Sequence, residues 1–438
     1  MKKILSISLL CGVALAFTGC VHEEDDIFDK SAAERLNEAK DVYFSRLTDS
    51  EAGWAMEYYP TNGDEAPQGA GYLMLADFNK DNSVKVGMRN SMTGNNYLED
   101  TSVWEVITDN GPVLSFSTYN NCVHLFSDPG IYETGLGYEG DYEFVIVDME
   151  QGAQQGFIKG KKRGTYVRLT RLPEQTDFQE YMAGVTAFQS KYFSSAAPNN
   201  DYIVYPDSTY VLAEGSTGIP NIYPEGKDAI AFESYHPYLI LKKEDSYYLR
   251  FKNVLTTLND GSKIQEFRFD EANDRFVNVE TENVFIEGGC PAPFFVESLD
   301  ANSRWQINKS SEMSTSFTNV YDNVAQGFAN VRYTFNNLNI MMRNGEPVLR
   351  LTYRAGNSTA NIFYHFTLQQ EEDGVTLQYT TPEGTAGNVL NAIPAIQTML
   401  DTFSQKFVVS AATTRFNLST LKFTSASNPD VWFVATQY

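Results

Sequence analysis

Three oxygen-bearing side chains at alternate positions, Asp77, Asn79 and Asp81, have the spacing with which a calcium-binding loop places its first ligands. Such a loop also needs a glycine for its sharp turn and a glutamate at its twelfth position, where this chain has Asn82 and Met88. Asp and Asn at these spacings are equally typical of a tight turn between two strands. We therefore favour a hairpin turn here, with calcium binding by these residues as the alternative.

A glycine pattern and a basic cluster are two further candidates for binding phosphates or other anions. Gly135, Gly137 and Gly140 form a GxGxxG pattern, which binds dinucleotides when it follows a strand and opens a helix. Here the strand-like run "DYEFVIVDM" follows, so the pattern predicts a turn. The cluster "KGKKRG" at 159–164 is most typical of a solvated hairpin tip, with an anionic glycan as the alternative ligand.

Signatures of enzymes are scarce in this chain. Three of the four histidines, His124, His236 and His365, stand beyond the first thirty residues, and none has the spacing of a zinc site or a hydrolase motif. Paired catalytic carboxylates stay an alternative, because 56 acidic residues give many chance pairs. The four tryptophans stand in apolar, strand-like contexts, which favour core positions over sugar-stacking platforms. We predict no metal and no cofactor, and we favour binding over catalysis.

The composition is that of a globular protein with an acidic surface. Hydrophobic residues make up 42% and charged residues 20% of the chain, and 438 residues are too many for one hydrophobic core. The formal net charge of −23 argues against nucleic acid as a partner, because its phosphates require a basic surface. Cys122 and Cys290 could pair in an oxidising compartment, but two thiols so far apart make no disulfide framework, and we expect separate buried thiols.

Short apolar or alternating runs, separated by Asn, Asp and Gly turns, dominate the chain and predict a mainly β fold. Their even spacing up to about residue 172 indicates an antiparallel barrel or sandwich. Capping boxes predict helices that begin at Ser31 and Thr176, and a third helix is predicted within 388–407, where Pro394 is tolerable only near the first turn or at a kink. We expect a β-rich α+β protein with antiparallel barrel- or sandwich-like units and a few helices.

The first thirty residues have the pattern of an export signal. A short positive start precedes an apolar run that ends at Phe17, and this run is shorter than the roughly 20 apolar residues that span a bilayer. The pair Gly19-Cys20 resembles the bacterial lipobox, in which the cysteine thiol is diacylated and cleavage falls before it, so we predict lipidation at Cys20. An ordinary residue beyond a conventional cleavage site is the alternative.

An acidic run follows this cysteine, formed by Glu23, Glu24, Asp25 and Asp26. Runs of like charge are normally solvated, and a solvated spacer is one interpretation. The run also resembles the surface-export signal of Bacteroides-type lipoproteins. That resemblance implies a location on the outer leaflet of the outer membrane, facing the environment.

Several segments together resemble the lipoproteins grouped as domain of unknown function 4302. They are "ERLNEAKDVYFSRLTDSEAGWAMEYYP", "GPVLSFSTYN", "HLFSDPG", "GYEGDYEFVI" and "KGKKRGTYVRLTRLPEQT", and the resemblance covers most of 31–175 and, more loosely, the remainder. The family is similar to accessory lipoproteins encoded beside outer-membrane nutrient-uptake systems of Bacteroides-type bacteria. It brings no active site, so no functional residue carries over, and it implies a surface accessory role.

We therefore predict a lipid-anchored cell-surface protein that binds a nutrient, either a glycan or a peptide, beside an outer-membrane uptake complex. A hydrolase with an unrecognised carboxylate pair, and a structural or adhesion partner of such a complex, are the alternatives. The predicted segments are a signal peptide at 1–19, an acidic tether at 20–30, a helix plus β domain at 31–175, a helix plus second β region at 176–300 and a mixed C-terminal region at 301–438.

Overall fold

The computed structural model describes residues 30–60, 71–109, 111–131, 135, 137–193, 200–214, 219–231, 234–300 and 302–438. The predicted lipidation site at Cys20 and the acidic run at 23–26 lie outside these residues. Within them, no helix combines the length and the apolar character that a membrane crossing needs.

One helix and eight strands form the first β-barrel. The helix, α1, spans Ala32–Leu47 and has the predicted capping box, in which the Ser31 hydroxyl accepts from the Glu34 N–H and the Glu34 carboxylate accepts from the Ser31 N–H. The strands pair antiparallel in chain order, and the first closes on the eighth. They are β1 Trp54–Tyr59, β2 Tyr72–Phe78, β3 Ser83–Met88, β4 Leu98–Asp109, β5 Gly111–Phe116, β6 Glu143–Asp148, β7 Gln155–Gly160 and β8 Tyr166–Arg171.

Large aromatic side chains fill the interior of this barrel. Along β4, Trp104 and Val106 are buried while their neighbours in the strand are more exposed, as expected when one face of a strand lies on a core. Phe78 on β2 contacts Trp104 and Phe116, with ring centroids 4.9 and 6.1 Å apart. Phe44 on α1 stacks on Trp104 at 4.9 Å, so the helix packs directly against this aromatic core.

A second helix and ten strands form the central unit. The helix, α2, spans Phe178–Tyr192, and its N-cap is Asp177 and not Thr176 as predicted, because the Asp177 carboxylate accepts from the Glu180 N–H at 2.8 Å. Eight strands form one antiparallel sheet in the order β11-β10-β9-β18-β17-β16-β13-β12, while β14 and β15 form a separate ribbon. The strands are β9 Asn200–Val204, β10 Thr209–Glu214, β11 Pro220–Pro224, β12 Tyr238–Lys243, β13 Ser246–Phe251, β14 Thr256–Thr257, β15 Lys263–Ile264, β16 Glu266–Asp270, β17 Arg275–Asn278 and β18 Phe285–Glu287.

The remaining residues form a second closed barrel, again with eight strands in chain order. Its strands are β19 Arg304–Asn308, β20 Thr334–Arg343, β21 Glu346–Ala355, β22 Ser358–Gln370, β23 Gly374–Pro382, β24 Lys406–Ala411, β25 Thr420–Ser425 and β26 Trp432–Gln437. Its helices are α3 Pro291–Glu297, α4 Thr315–Asn330, α5 Ala386–Ala392 and α6 Ala395–Phe403. The single helix predicted within 388–407 is therefore wrong, because Pro394 lacks an N–H and separates two helices, as the N-cap of the second.

A buried network of charged side chains joins the first barrel to the central sheet. Glu57 on β1 is fully buried, and its two carboxylate oxygens lie 3.2 Å from Arg168 Nη1 on β8 and 2.5 Å from Arg250 Nη1 on β13. Arg250 also contacts Glu266 on β16 at 2.9 Å, and Lys243 pairs with the same carboxylate. Because one carboxylate binds guanidinium groups from two sheets, the network holds the barrel and the sheet together.

A loop of the second barrel packs against the central sheet in a similar way. Phe416 in this loop is buried and contacts the Phe276 ring with centroids 5.4 Å apart. Arg415 Nη1 lies 2.9 Å from the Glu287 carboxylate. Gly288 is required here, because a Cβ on this residue would lie 2.2 Å from the backbone carbon of Arg415.

The predicted fold class is confirmed, since the chain is mainly β and its sheets are antiparallel. The first closed barrel is the barrel-like unit expected from the even spacing of short strands up to about residue 172, whereas the second lies in the segment predicted as a mixed C-terminal region. The predicted domain boundaries stay predictions. One hydrophobic core cluster runs from the first barrel into the central sheet, including Trp54, Phe178 and Ile286.

Candidate functional site

The residues considered for calcium binding form the turn between β2 and β3. The Asp81 carboxylate accepts from the Ser83 N–H at 2.9 Å and from the Ser83 hydroxyl at 2.6 Å, and Asn82 adopts a left-handed φ of 68°. These are the interactions of an Asx turn, which the sequence analysis favoured. In the part of the chain that the structure describes, no three or more His, Cys, Asp or Glu residues are grouped so as to hold a metal ion.

The basic cluster at 159–164 lies at the tip of the β7–β8 hairpin, as predicted. The buried Asp141 carboxylate accepts from the backbone N–H groups of Lys162, Arg163 and Thr165 at 3.0–3.1 Å. Lys161 Nζ lies 2.8 Å from the Asp109 carboxylate, and Arg163 Nη1 lies 2.7 Å from that of Glu139. Two of the cations in this cluster are thus neutralised by neighbouring carboxylates.

The other motifs also have structural roles. Gly135 and Gly137 adopt left-handed φ values of 71° and 63°, and strand β6 follows them, so the glycine pattern forms a turn. Both cysteines are free thiols, as expected, but only Cys122 is buried. The prediction of a buried Cys290 is wrong, because this residue is the exposed N-cap of α3, where the chain leaves the central sheet.

Three of the four tryptophans are core residues. Trp54, Trp104 and Trp305 are buried, as predicted, whereas Trp432 is half-buried and carries the Lys422 ammonium 4.2 Å from its ring centroid. The three described histidines lie in separate places. His124 stacks between two exposed tyrosines, His365 lies between the carboxylates of Glu346 and Glu383, and His236 lines a cavity.

This cavity is the candidate functional site, and we call it the tyrosine–histidine cavity. It encloses about 470 Å³ at the end of the central sheet where β9, β10 and β11 meet the segment before β12 and the β14–β15 ribbon. Its walls combine three aliphatic side chains, three hydroxyl groups and three rings. These are Ile222, Leu255, Leu258, Ser208, Ser234, Thr256, Tyr205, Tyr210 and His236.

Backbone pairing places Ser234 and His236 on the same side of the cavity. The two residues flank Tyr235, which bridges to Asn221 on β11, and residues two apart in an extended chain face the same way. The Ser234 N–H donates to Asn221 Oδ1 at 2.9 Å, and the His236 N–H donates to the Pro220 carbonyl at 3.0 Å. Between the side chains, Ser234 Oγ lies 2.7 Å from His236 Nε2. The pair is therefore a fixed polar group in the cavity wall.

The rings of the two tyrosines are in contact beside a hairpin turn. Tyr205 follows β9 and Tyr210 lies on β10, and their rings are 5.6 Å apart and near perpendicular, at 73°. Both side chains are half-buried, which leaves part of each ring open to the cavity. Burial, and then the proximity of Tyr210, raise the pKa of Tyr205 to about 12, so its hydroxyl stays a hydrogen-bond donor at neutral pH.

The lining carries no formal charge at neutral pH. It contains no Asp, Glu, Lys or Arg side chain, and burial lowers the pKa of His236 from its ordinary value of 6.5. A neutral imidazole offers one donor and one acceptor, and the hydroxyl groups offer both. The cavity can thus form several hydrogen bonds to an uncharged polar ligand while its rings and aliphatic walls cover apolar faces.

Sequence reasoning did not find this site. The stretch "YPDSTY" at 205–210, with a tyrosine on each side of a turn sequence, was the one local signal for it. Ser234 and Leu255 come from later segments, and only the pairing of the sheet brings them to the same place.

A family model described as "Domain of unknown function (DUF4302)" matches residues 24–271, which is more than half of the chain. The chain belongs to the DUF4302 family. The predicted family is therefore confirmed. In this DUF4302 protein, the matched region contains the first barrel, α2 and all nine residues that line the tyrosine–histidine cavity, while the second barrel lies beyond it.

Other comparisons add little. No curated protein matches this DUF4302 chain. Among solved structures, a chain assigned as a DNA polymerase III beta subunit from Eubacterium rectale has 8% identity and a TM-score of 0.12, covering 91% of this chain and 97% of that one. The DNA polymerase III subunit beta from Pseudomonas aeruginosa has 10% identity and a TM-score of 0.13, covering 92% and 98%. With TM-scores this low, neither likeness carries an argument about fold or function.

Proposed function

We propose that this DUF4302 protein captures a neutral saccharide in the tyrosine–histidine cavity, and that it does so at the cell surface as a lipid-anchored accessory of an outer-membrane uptake complex. The single observation that carries the ligand class is the lining of the cavity, which joins rings and hydroxyl groups without a charged side chain. Peptide capture, the other predicted role, fits this cavity less well because free peptide ends are charged.

Sugar rings have a matching surface. Their C–H faces pack on aromatic and aliphatic side chains, and their hydroxyl groups donate and accept hydrogen bonds. Tyr205 and Tyr210 supply half-buried rings for the first kind of contact, and Ser234 with His236 supplies partners for the second. A volume of about 470 Å³ lies within the range of roughly 300–1,000 Å³ of small-molecule sites.

The absence of charge in the lining selects against ionised ligands. Moving a charged group out of water is costly unless the protein supplies a counter-charge. Among the residues that line this cavity, no carboxylate, ammonium or guanidinium group is present. The same lining gives the carboxylate-pair hydrolase no support at this site, so we favour capture over cleavage.

The proposed location rests on the sequence. Gly19-Cys20 after a short apolar run supports a lipid anchor, and two or three acyl chains would hold the protein firmly, since each buried CH₂ contributes about 0.8 kcal/mol. The acidic run at 23–26 supports display on the outer face of the membrane. An uptake complex is the proposed partner because the family resemblance points to accessory lipoproteins of such systems.

Binding of neutral oligosaccharides tests this proposal. We would screen the mature chain, purified with Cys20→Ala to prevent lipidation, on a panel of neutral and acidic glycans and then measure Kd for the hits by calorimetry. We expect neutral glycans to bind, and removal of one ligand hydrogen bond in Ser234→Ala or Tyr210→Phe to weaken binding roughly fivefold, since one such bond contributes about 1 kcal/mol.

A matched control is Tyr142→Phe, which alters an exposed tyrosine on the first barrel and should leave Kd unchanged. Saccharide binding that survives both cavity substitutions would place the ligand elsewhere. Selective binding of acidic glycans would show that the uncharged lining does not determine the ligand.

A further inference from the structure

A second recess, which we call the aromatic groove, lies between one face of α2 and the turns of the β12–β13 and β16–β17 hairpins. It encloses about 410 Å³. The helix contributes Gly184, Ala187, Phe188, Lys191 and Tyr192, whose spacing places them along a single face. This groove is separate in its lining from the tyrosine–histidine cavity, because the two share no residue.

Four aromatic rings form the floor and walls of the groove. Phe188 stacks on Tyr247 with ring centroids 4.2 Å apart and an interplanar angle of 18°, and it contacts Tyr192 at 4.4 Å. The Tyr192 ring meets Phe269 edge-on at 4.6 Å. Phe188 and Tyr192 are 7% and 5% exposed and form the floor, whereas Tyr247 and Phe269 are half-buried and form the walls.

Small residues on the helix keep the groove open. A Cβ on Gly184 would lie 3.0 Å from the Tyr247 hydroxyl oxygen, so the glycine lets this hydroxyl group approach the helix closely. Ala187, one turn later, is exposed and presents only a methyl group. Larger side chains at these two positions would occupy the space above the aromatic floor.

Charged groups of both signs surround this floor. The Lys191 ammonium lies 4.8 Å from the Tyr192 ring centroid at the edge of the floor, while Asp245 and Glu271 stand in the two hairpin turns, and all three side chains are exposed. The groove therefore offers an ammonium group beside its aromatic floor and carboxylates in the two hairpin turns. This arrangement differs from the uncharged lining of the tyrosine–histidine cavity.

We propose that the aromatic groove binds a zwitterionic ligand of the amino-acid type that carries an aromatic side chain. In this complex the ligand ring packs on the floor, its carboxylate faces the Lys191 ammonium, and its ammonium group faces Asp245 and Glu271. Each of these contacts pairs opposite charges next to an apolar surface, where charge-assisted hydrogen bonds are stronger than neutral ones. A free amino acid and a short peptide share this chemistry and differ in the distance between their charged ends.

Calorimetry with capped ligands tests the charge requirement. We would titrate the mature Cys20→Ala chain with L-phenylalanine, L-tyrosine and L-tryptophan, with their N-acetyl and carboxamide derivatives, and with aromatic dipeptides. We expect a loss of affinity of up to about fivefold for each derivative, because each lacks one charge that pairs with an exposed side chain of the groove. Dipeptides that bind more tightly than free amino acids would identify a peptide as the natural ligand, within the same proposal.

Variants of the chain locate the binding. Ala187→Trp fills the groove and should abolish binding, while Ser190→Trp, its matched control, places the same ring at an exposed position of α2 that does not line the groove. Lys191→Met should bind the free acid and its carboxamide with equal affinity. This second readout keeps the test valid if Ala187→Trp does not fold, as judged by its melting temperature.

Three results would overturn the proposal. The first is that no aromatic amino acid or dipeptide binds at millimolar concentration. The second is that the free amino acid and both of its capped forms bind with equal affinity. The third is that a folded Ala187→Trp variant binds the ligand as the wild type does. Saccharide binding in the tyrosine–histidine cavity should be unaffected by all these groove variants, so the two proposals fail or succeed separately.

Discussion

Replacing Glu57 with glutamine should destabilise the protein strongly, because the carboxylate of this residue lies between two buried guanidinium groups. Glu57 is fully buried, Arg168 and Arg250 are 5% and 2% exposed, and the N–O distances are 3.2 and 2.5 Å. Glutamine has nearly the same shape, so Glu57→Gln creates no cavity. It removes the charge and replaces one of the two accepting oxygens with an NH2 group, which faces a guanidinium donor. Breaking a buried ion pair in this way costs about 3–5 kcal/mol.

Urea denaturation, followed by tryptophan fluorescence and circular dichroism, measures this change as a difference in the free energy of unfolding. Asp322→Asn is the matched control, because the Lys309–Asp322 pair has side chains 65% and 49% exposed and should change stability by less than about 1 kcal/mol. A loss of less than about 1 kcal/mol in Glu57→Gln would refute the reasoning. It would mean that water reaches the network or that the barrel and the central sheet separate without cost.

Three further predictions concern pH, anchoring and display. Burial raises the pKa of Glu266, but the charges of Arg250 and Lys243 outweigh burial and leave the pKa below its ordinary value of 4.5. The stability that this carboxylate contributes is therefore present above the unfolded pKa of about 4.3 and is lost as the pH falls through the folded pKa. Glu266→Gln should flatten this acid dependence of the free energy of unfolding in urea titrations at pH 3–6. Cys20→Ala should move the protein out of the membrane fraction, and wild-type amounts in that fraction would contradict lipidation. Replacing all four acidic residues at 23–26 with alanine should hide the lipoprotein from external protease, whereas unchanged cleavage would leave the run as a spacer.

Elements whose hydrogen bonds join residues close together in the sequence could be predicted from the sequence. The Ser31–Glu34 capping box is one example, because both hydrogen bonds join residues three apart. The hairpin turn between β2 and β3 is another, since the Asp81 carboxylate accepts from the N–H of Ser83, two residues later. The prediction of a single helix within 388–407 failed because the apolar pattern continues across Pro394, although this proline separates two helices.

One missed element did carry a signal. Phe317, Tyr321, Val324 and Phe328 have helical spacing and are all buried on α4, and Ser314 caps this helix by accepting from the Phe317 N–H at 3.2 Å. For the tyrosine–histidine cavity the sequence showed only the two tyrosines on either side of the turn at 205–210, and the Glu57 network carried no signal. Their residues come from distant segments, and only strand order and register place them side by side.

The most direct test of saccharide capture is to observe His236 itself during a titration. Proton–nitrogen NMR spectra of the histidine rings, assigned with a His236→Gln variant, report on one site in the cavity wall. We predict that a neutral glycan which binds the protein shifts the His236 ring signals with the Kd found by calorimetry, while His124 and His365 signals stay in place. Saturation of the protein without any change at His236, or with changes at His124 or His365 alone, would contradict capture in the tyrosine–histidine cavity.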